Sequence, residues 1–368
     1  MNIGIDIKAF KNGATGIARY LRNMMDHLQR LDSVNNYYLF ECTSSGYVVT
    51  SPLWKKVLIP WKLPGIFWQQ CILPPVLKRH SITVLWAPEQ ICPVLYRGTI
   101  LTTVHDLTAL RYPHSCQRSN YLIQKYLFPR TIERSALLMP VSDFVGRELV
   151  ACYPERIRPE RLKTVSNGSP DWETRHEPAS RADPPFLFFA GNREPRKNLL
   201  RLVEALELLH GRGTTVALHL AGPPGWKNHA VDRRIADGPL RDSITCLGYL
   251  SEEELREQYR RCSAVVYPSV YEGFGLPVLE AFRMGARVIT SRGTVMEEIA
   301  GAAARYFDPF DSNDIARAIE ETLSLAPPGK EEYRLFEEVL DKYSWEKSAL
   351  LLLEAFTKAG SPRGVPCP

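Results

Sequence analysis

The sequence lacks the patterns that define several large classes of protein. No apolar run approaches the roughly 20 residues that a membrane-spanning helix needs. The eight cysteines are scattered without a C-x-x-C pair, which argues against a disulfide framework or a zinc site. The sequence has no G-x-G-x-x-G dinucleotide motif and no Asp-x-Asp metal motif. Asp6 and Lys8 near the start are unlike a secretory signal peptide. A reduced, cytoplasmic enzyme is therefore expected.

Charge is distributed unevenly along the 368 residues. Residues 1–170 hold 21 Lys and Arg against 11 Asp and Glu, whereas residues 171–368 hold 25 against 30. A basic half joined to an acidic half indicates a surface-binding domain attached to another domain. Residues 51–80 contain five basic residues and no acid. Among them lie bulky aromatic side chains, Trp54, Trp61, Phe67 and Trp68.

The composition of residues 51–80 predicts contact with an anionic membrane surface. The alternative is that their apolar side chains pack the core while the lysines are solvated. No nucleic acid is expected as a partner.

Strands and helices alternate along both halves of the chain. Strands are predicted at 2–7, 37–40, 83–86, 99–104, 163–165, 186–190, 215–221, 244–247, 264–267 and 287–291. Helices are predicted at 17–31, 121–134, 144–150, 199–210, 252–262, 276–284, 313–325 and 344–356. This order implies parallel sheets with crossover helices, and the proline-containing stretch 171–185 reads as a linker. We predict an α/β fold with domains at 1–170 and 186–343, and a C-terminal helix within 344–360 that packs back toward the first domain.

Two loops in the second half carry the densest candidate chemistry. Residues 272–276 follow a strand and open a helix, with Glu280 expected in its first turn. Glycines there allow backbone N–H groups to approach a ligand, and carboxylates can hold sugar hydroxyls. Residues 191–198 place Arg196 and Lys197 ahead of a helix N-terminus, which suits a diphosphate. Capped helices and solvated charges are the ordinary alternatives.

Two features of the first half are also candidates. The loop Gly13–Gly16 is a possible phosphate cradle after the first strand. His105 directly follows strand 99–104, at the sheet edge where α/β proteins bind ligands. A lone histidine is more often structural.

Taken together and in this order, these segments resemble the retaining glycosyltransferases of family 4. Glu272–Glu280 is similar to their Glu-x7-Glu motif, and 191–198 resembles their Gly-x-Leu-x-Pro-Arg-Lys-Asn loop. The segments Gly13–Tyr20 and His105–Pro113 are also similar. The resemblance runs from residue 1 to about 357. It departs at Asn192-Arg193, where relatives often have Thr-Leu or Arg-Leu, so a phosphate contact from Arg193 stays open.

The resemblance implies the GT-B fold, with two Rossmann-like domains facing each other across a cleft. The residues it implies for catalysis are His105, Glu272, Arg196 and Lys197. The residues it implies for donor binding are Gly16, Asn192, Arg196, Lys197, Leu250, Glu272, Gly273, Phe274, Gly275, Leu276 and Glu280. Arg196 and Lys197 would hold the diphosphate, Glu280 the ribose, and Glu272 the transferred sugar. His105 would approach the reacting centre, and no metal or cofactor is implied.

The resemblance is strongest to bacterial mannosyltransferases of lipopolysaccharide and surface-polysaccharide assembly. It implies a GDP-mannose donor, a glycan or lipid-linked acceptor, and work at the inner face of the cytoplasmic membrane. A UDP-dependent N-acetylhexosaminyl- or glucosyltransferase of the same fold is one alternative, and a non-catalytic nucleotide-sugar-binding subunit is another. A nicotinamide dehydrogenase would need the missing glycine motif. An epimerase or glycan phosphorylase fits the paired glutamates less well.

Overall fold

The chain separates into two compact α/β units. The computed structural model describes residues 1–12, 15–62, 65–174 and 184–360. The first unit comprises Met1–Leu110, Arg118–Gly168 and the residues from Ser344 onward. The second comprises Arg111–Gln117 and Ser169–Tyr343. The predicted α/β class with two domains is confirmed. Most of the predicted linker, at 175–183, lies outside the described residues.

Each unit is built on a parallel sheet flanked by helices. The strands of the first unit are β1 (Asn2–Asp6), β2 (Asn36–Glu41), β3 (Trp54–Leu58), β4 (Val84–Ala87), β5 (Thr99–Val104) and β6 (Leu137–Pro140). Its helices are α1 (Gly16–Leu31), α2 (Gly65–Phe67), α3 (Leu73–Arg79), α4 (Thr108–Arg111), α5 (Arg118–Arg134) and α6 (Asp143–Cys152). A π-helical turn at Trp68–Ile72 joins α2 to α3, and the last residue of α4 falls in the second unit.

The second unit follows the same plan. Its strands are β7 (Phe186–Ala190), β8 (Ala217–Ala221), β9 (Ile244–Gly248), β10 (Ala264–Tyr267), β11 (Val288–Ser291) and β12 (Arg305–Phe307). Its helices are α7 (Leu199–Gly211), α8 (His229–Asp237), α9 (Glu252–Arg261), α10 (Leu276–Arg283), α11 (Val295–Ala300), α12 (Ser312–Leu323) and α13 (Lys330–Lys342). The final helix, α14 (Trp345–Gly360), belongs to the first unit.

Both sheets have the strand order of a Rossmann fold. The first runs β3-β2-β1-β4-β5-β6 and the second β12-β11-β10-β7-β8-β9, with parallel pairing throughout the described strands. Central strands are covered on both faces, and all five residues of β7 are buried. In such sheets, ligands bind beyond the carboxyl ends of the strands. That edge of each sheet is therefore where functional side chains are to be sought.

The strands missed in the sequence lie at sheet edges. β3, β6 and β12 are edge strands, each with one neighbour, and they have five residues or fewer. β3 and β12 contain charged residues, which edge strands tolerate, so their apolar pattern is weak. β6 is apolar but only four residues long. The strand predicted at 163–165 is wrong. The backbone N–H groups of Lys163 and Val165 donate to carbonyls of Leu138 and Pro140, but no strand forms there.

The C-terminal helix completes the core of the first unit. α14 packs against α1, and its side chains Trp345, Leu352 and Phe356 are buried. Gly168 lets the chain pass this helix, since a Cβ atom there would lie 2.3 Å from the backbone nitrogen of Trp345. Trp172, within the predicted linker, is buried in the second unit and donates its Nε1–H to Glu252 at 2.9 Å.

Candidate active site

Three charged side chains of the second unit meet beyond the ends of two neighbouring strands. Arg196 and Lys197 lie in a short 3-10 turn after β7, and Glu272 lies in the loop between β10 and α10. Glu272 Oε2 is 2.6 Å from Arg196 Nη1, and its Oε1 is 2.5 Å from Lys197 Nζ. Two hydrogen bonds tie the loops together: the backbone N–H of Val270 donates to the Arg196 carbonyl (2.9 Å), and the side-chain Nη1 of Arg196 donates to the Tyr271 carbonyl (3.2 Å). We call these three residues the ion cluster.

The ion cluster is nearly closed to solvent. Burial opposes the charged form of Glu272, but Arg196 and Lys197 outweigh it and hold its pKa at about 2. Burial lowers the pKa of Lys197, and Arg196 lowers it further, while Glu272 works in the opposite direction. The Lys197 ammonium also bonds to the Tyr267 hydroxyl and sits 4.7 Å from the centre of that ring. Glu272 is therefore ionised at neutral pH beside two positioned cations.

Local backbone geometry places the two cations. Asn198 has a left-handed backbone, with φ of 60°, and its Nδ2 donates to the Pro309 carbonyl at 2.7 Å. Asparagine tolerates this conformation better than most residues. The chain can then turn from Lys197 directly into α7. The Arg-Lys-Asn motif at 196–198 therefore places an asparagine where the backbone has to turn.

The glycine loop lies at the N-terminus of α10. Gly275 precedes the helix with φ of 153°, and a Cβ atom there would lie 2.9 Å from Met296 Sδ. Pro277 occupies the first turn, where a missing N–H costs nothing. Gly273, Phe274 and Leu276 belong to the same loop. Its backbone donors and the positive end of the helix dipole form an environment suited to an anion.

Glu280 differs from its expected position. It is the fifth residue of α10, so it lies in the second turn rather than the first, and it is 3% exposed. Its Oε2 accepts a hydrogen bond from the Tyr259 hydroxyl at 2.7 Å. The helix start at Leu276 was predicted correctly, but with 3.6 residues per turn the fifth residue already lies beyond the first turn. Tyr259 anchors the carboxylate on a second helix, α9.

Other donor-site candidates of the second unit are divided between surface and interior. Asn192 is exposed, whereas Arg193 is buried. The Arg193 Nε donates to Asp232 at 3.0 Å, and its Nη1 to the Gly222 carbonyl at 3.4 Å. Arg193 therefore supports the neighbouring β8–α8 loop. Leu250, just after β9, is half-buried.

His105 and Gly16 lie in the first unit. His105 Nε2 is 2.7 Å from the Pro88 carbonyl, which can only accept, so Nε2 carries the proton. Burial lowers the pKa of His105, although Pro88 and Asp106 oppose this. The neutral ring then keeps a lone pair on Nδ1. Gly16 is the exposed first residue of α1, which Thr15 caps through a bond from Ala18 N–H at 3.2 Å. Gly13 lies outside the described residues.

Three tyrosines of the second unit were not predicted as part of the site. Tyr267 bonds to Lys197, Tyr259 bonds to Glu280, and the Tyr112 ring lies 5.3 Å from the ring of Tyr271. Tyr267 ends a buried strand and Tyr259 lies in a polar helix, so neither stands out in the sequence. Tyr112 lies within the family-like segment His105–Pro113, so that resemblance was the one sequence feature that could have indicated it.

The aromatic residues of 51–80 are mostly core residues. Trp54 is 4% exposed and Trp68 is fully buried, so their expected membrane contact is wrong. Trp61 packs against the same apolar cluster as Trp68. Phe67 and Leu58 are exposed instead, at 56% and 47%. Leu63 and Pro64 lie outside the described residues, and within the described part no helix is long and apolar enough to cross a membrane.

The fold is shared with solved structures of glycosyltransferases. The structure of WaaG, "a glycosyltransferase involved in lipopolysaccharide biosynthesis", superposes with a TM-score of 0.73 at 16% identity, covering 97% of this chain and 100% of that one. The structure of Anabaena Alr3699/HepE in complex with UDP and glucose gives 0.72 at 16% identity, covering 97% and 99%. These likenesses identify the fold as that of the GT-B glycosyltransferases.

Sequence comparison identifies the family. The family "Glycosyl transferases group 1" matches residues 170–337. The O-antigen chain mannosyltransferase B of Escherichia coli is 32% identical over 264 residues, which are 66% of this chain and 69% of that protein. The serotype-specific mannosyltransferase WbdA of Escherichia coli is 32% identical over 277 residues, 68% of this chain but 32% of that protein. The chain belongs to the group 1 glycosyl transferases, and the family resemblance is confirmed.

Proposed function

We propose that the chain transfers mannose from GDP-mannose, with retention of configuration, to a glycan or lipid-linked acceptor of bacterial surface polysaccharide. The observation that carries this proposal is the ion cluster beside the glycine loop of α10. Two fixed cations and a helix N-terminus can bind a diphosphate and stabilise it as it departs. The names of the two Escherichia coli relatives support mannose as the sugar.

Each donor group has a matching part of the second unit. Arg196 and Lys197 bind the diphosphate and supply its counter-charge, so transfer needs no metal or cofactor. Glu280 receives the ribose hydroxyls, with its carboxylate oriented by Tyr259. Glu272 and the backbone of 273–276 receive the transferred hexose. Leu250 lies along the base, and Asn192 is a further donor contact.

In the first unit, His105 and Gly16 contact the donor. His105 approaches the reacting centre of the sugar with its neutral ring, and Gly16 faces the diphosphate. The first unit as a whole binds the acceptor. We place the enzyme in the cytoplasm, at the inner face of the membrane where a lipid-linked acceptor is available.

Nucleotide binding tests the donor. A ligand that binds the native chain raises its melting temperature, and at equal concentration the tighter ligand raises it more, so GDP and GDP-mannose should stabilise it more than UDP and UDP-N-acetylglucosamine. A larger shift with the UDP compounds would establish the alternative UDP-dependent transferase. The structure of HepE contains UDP and glucose, which keeps this alternative open. Binding of GDP-mannose without hydrolysis or transfer would instead indicate a non-catalytic subunit.

We also propose that the first unit contacts an anionic membrane surface. Within the described part of 51–80, the exposed basic and large apolar groups available for this contact are Lys55, Lys62, Lys78, Arg79, Leu58 and Phe67. Lys56 is exposed but bonds to the Tyr47 carbonyl at 3.1 Å. Each engaged cation near an anionic surface contributes about 1 kcal/mol.

Helix α5 supports the same contact. None of residues 118–127 is buried, and Leu122 and Tyr126 are exposed. Residues 107–132 contain four basic residues and no acid. A helix that leaves apolar and basic side chains in solvent is suited to an interfacial position.

Sedimentation with vesicles tests membrane contact. Vesicles containing phosphatidylglycerol should bind the chain at low salt and release it as salt rises, because exposed charges are screened. Lys55→Glu/Lys62→Glu should weaken binding, whereas Lys347→Glu/Lys358→Glu on α14 makes the same charge change as a control. An equal loss of vesicle binding in both double variants would refute the proposed membrane contact. So would wild-type binding to neutral vesicles that equals its binding to anionic ones.

A further inference from the structure

Three neighbouring strands of the first sheet carry polar side chains at their carboxyl ends. Lys8 lies two residues beyond β1, Glu89 two residues beyond β4, and His105 one residue beyond β5. β4 lies between β1 and β5 in the sheet. The strand register pairs Ile5 with Trp86 and Trp86 with Leu101, so Lys8 and Glu89 are level and His105 lies one residue further along. The three side chains therefore form one row along the ligand-binding edge of the sheet.

Lys8 connects two carboxylates within this row. Its Nζ is 3.2 Å from Asp6 Oδ2 and 2.6 Å from Glu89 Oε2. Asp6 is 1% exposed and also accepts from the Lys8 backbone N–H (3.2 Å) and from Gln69 Nε2 (2.8 Å). The Glu89 side chain keeps 22% of its surface exposed. The Asp6 carboxylate is thus buried and engaged within the protein, whereas the Glu89 side chain is fixed by Lys8 and partly open to solvent.

Glu89 and His105 are linked through the backbone. The Pro88 carbonyl holds His105 Nε2 at 2.7 Å, and Glu89 is the next residue. Lys8 fixes the carboxylate on one side of this short segment, and the imidazole is fixed on the other. A change in the β4 loop would move both groups together.

We propose that Glu89 is a binding site for the hydroxyl groups of the acceptor sugar. This inference rests on the glycosyl transfer proposed above and assigns an acceptor contact within the first unit. A carboxylate accepts short, charge-assisted bonds from two adjacent hydroxyls, and a sugar offers such pairs. Lys8 orients the carboxylate while leaving part of it open. A role in stability alone explains the arrangement poorly, because replacing a buried ion pair by apolar residues is often neutral.

Transfer kinetics test the site. The acceptor probes are the octyl glycosides of mannose, galactose, glucose and N-acetylglucosamine, and the one that the wild type uses best is taken further. Glu89→Gln should raise its KM about tenfold, the change expected when one charge-assisted hydrogen bond is weakened. Donor KM and the rate of donor hydrolysis without acceptor should change less than twofold. Glu89→Asp, which keeps the charge, should recover part of the acceptor affinity.

Matched controls separate the possible outcomes. Glu354→Gln removes a carboxylate of the same unit that pairs with Lys163 at 2.7 Å, and it should leave acceptor KM unchanged. An unchanged acceptor KM in Glu89→Gln, or an equal loss of donor hydrolysis, would overturn the assignment. So would a wild type that hydrolyses the donor but uses none of the four glycosides. A wild type that neither binds nor hydrolyses any nucleotide sugar would instead refute the proposed function.

Discussion

Replacing Glu272 by glutamine tests the charge balance of the ion cluster. A glutamate pKa lowered from 4.5 to about 2 corresponds to about 3 kcal/mol of stability at neutral pH, since each pKa unit is worth about 1.4 kcal/mol. Only 12% of the side chain is exposed, so solvent screens this interaction little. Glu272→Gln keeps the shape but removes the charge between Arg196 and Lys197. We expect the variant to lose about 3 kcal/mol of unfolding free energy at pH 7.

The stability that Glu272 contributes depends on pH in a definite direction. Because the folded-state pKa is depressed, the stabilisation is present above about pH 4.5 and is lost as pH falls toward 2. Urea unfolding of wild type and variant should therefore show a gap that is constant from pH 7 to 5 and narrows below pH 4.5. Glu331→Gln is a control, since its carboxylate lies on the surface and is 75% exposed. Equal stability of Glu272→Gln and wild type at pH 7, or a gap unchanged at pH 3, would refute an ionised, buried cluster.

Three further outcomes are expected. Glu280→Gln should weaken GDP binding in calorimetry about tenfold, because a charge-assisted bond to ribose is worth about 1.5–3 kcal/mol, and Tyr259→Phe should have a smaller effect. Lys197→Ala should reduce turnover by about 100-fold, with wild-type activity persisting in EDTA; loss in EDTA that manganese restores would contradict this. Trp345→Ala should lower the unfolding free energy by about 3–5 kcal/mol in urea titrations, whereas the exposed Leu350→Ala should change it by less than about 0.5 kcal/mol.

Strand–helix alternation was enough to predict both sheets and their central strands. The five buried residues of β7 were predicted without error, and α9 begins at the predicted residue, where Ser251 and Glu254 form a capping box. The elements that escaped prediction are mainly short ones. They are the helices α2, α3, α4, α8, α11 and α13 and the edge strands β3, β6 and β12. All but α13 have nine residues or fewer, which is shorter than the window over which a helical pattern is normally recognised.

The sequence was enough to predict which residues belong to the candidate site, but not which of them contact one another. Sequence placed Arg196, Lys197 and Glu272 after two strands, yet their meeting requires β7 and β10 to be neighbours, which is a property of the topology. The Tyr259–Glu280 bond joins two helices and has no sequence signature. Membrane contact was predicted for the aromatic side chains of 51–80 as a group, because composition alone does not distinguish a buried Trp68 from an exposed Phe67.

The position of α14 sets the order in which the chain can fold during synthesis. Residues 169–343 of the second unit are contiguous and leave the ribosome before Trp345 does. The first unit is begun first, yet its surface on α1 stays uncovered until the final helix emerges. The two units should therefore acquire protease resistance in the reverse of their order in the gene. Nascent chains that end near residue 343 would expose the apolar face of α1. We therefore expect such chains, and variants truncated before α14, to be prone to aggregation.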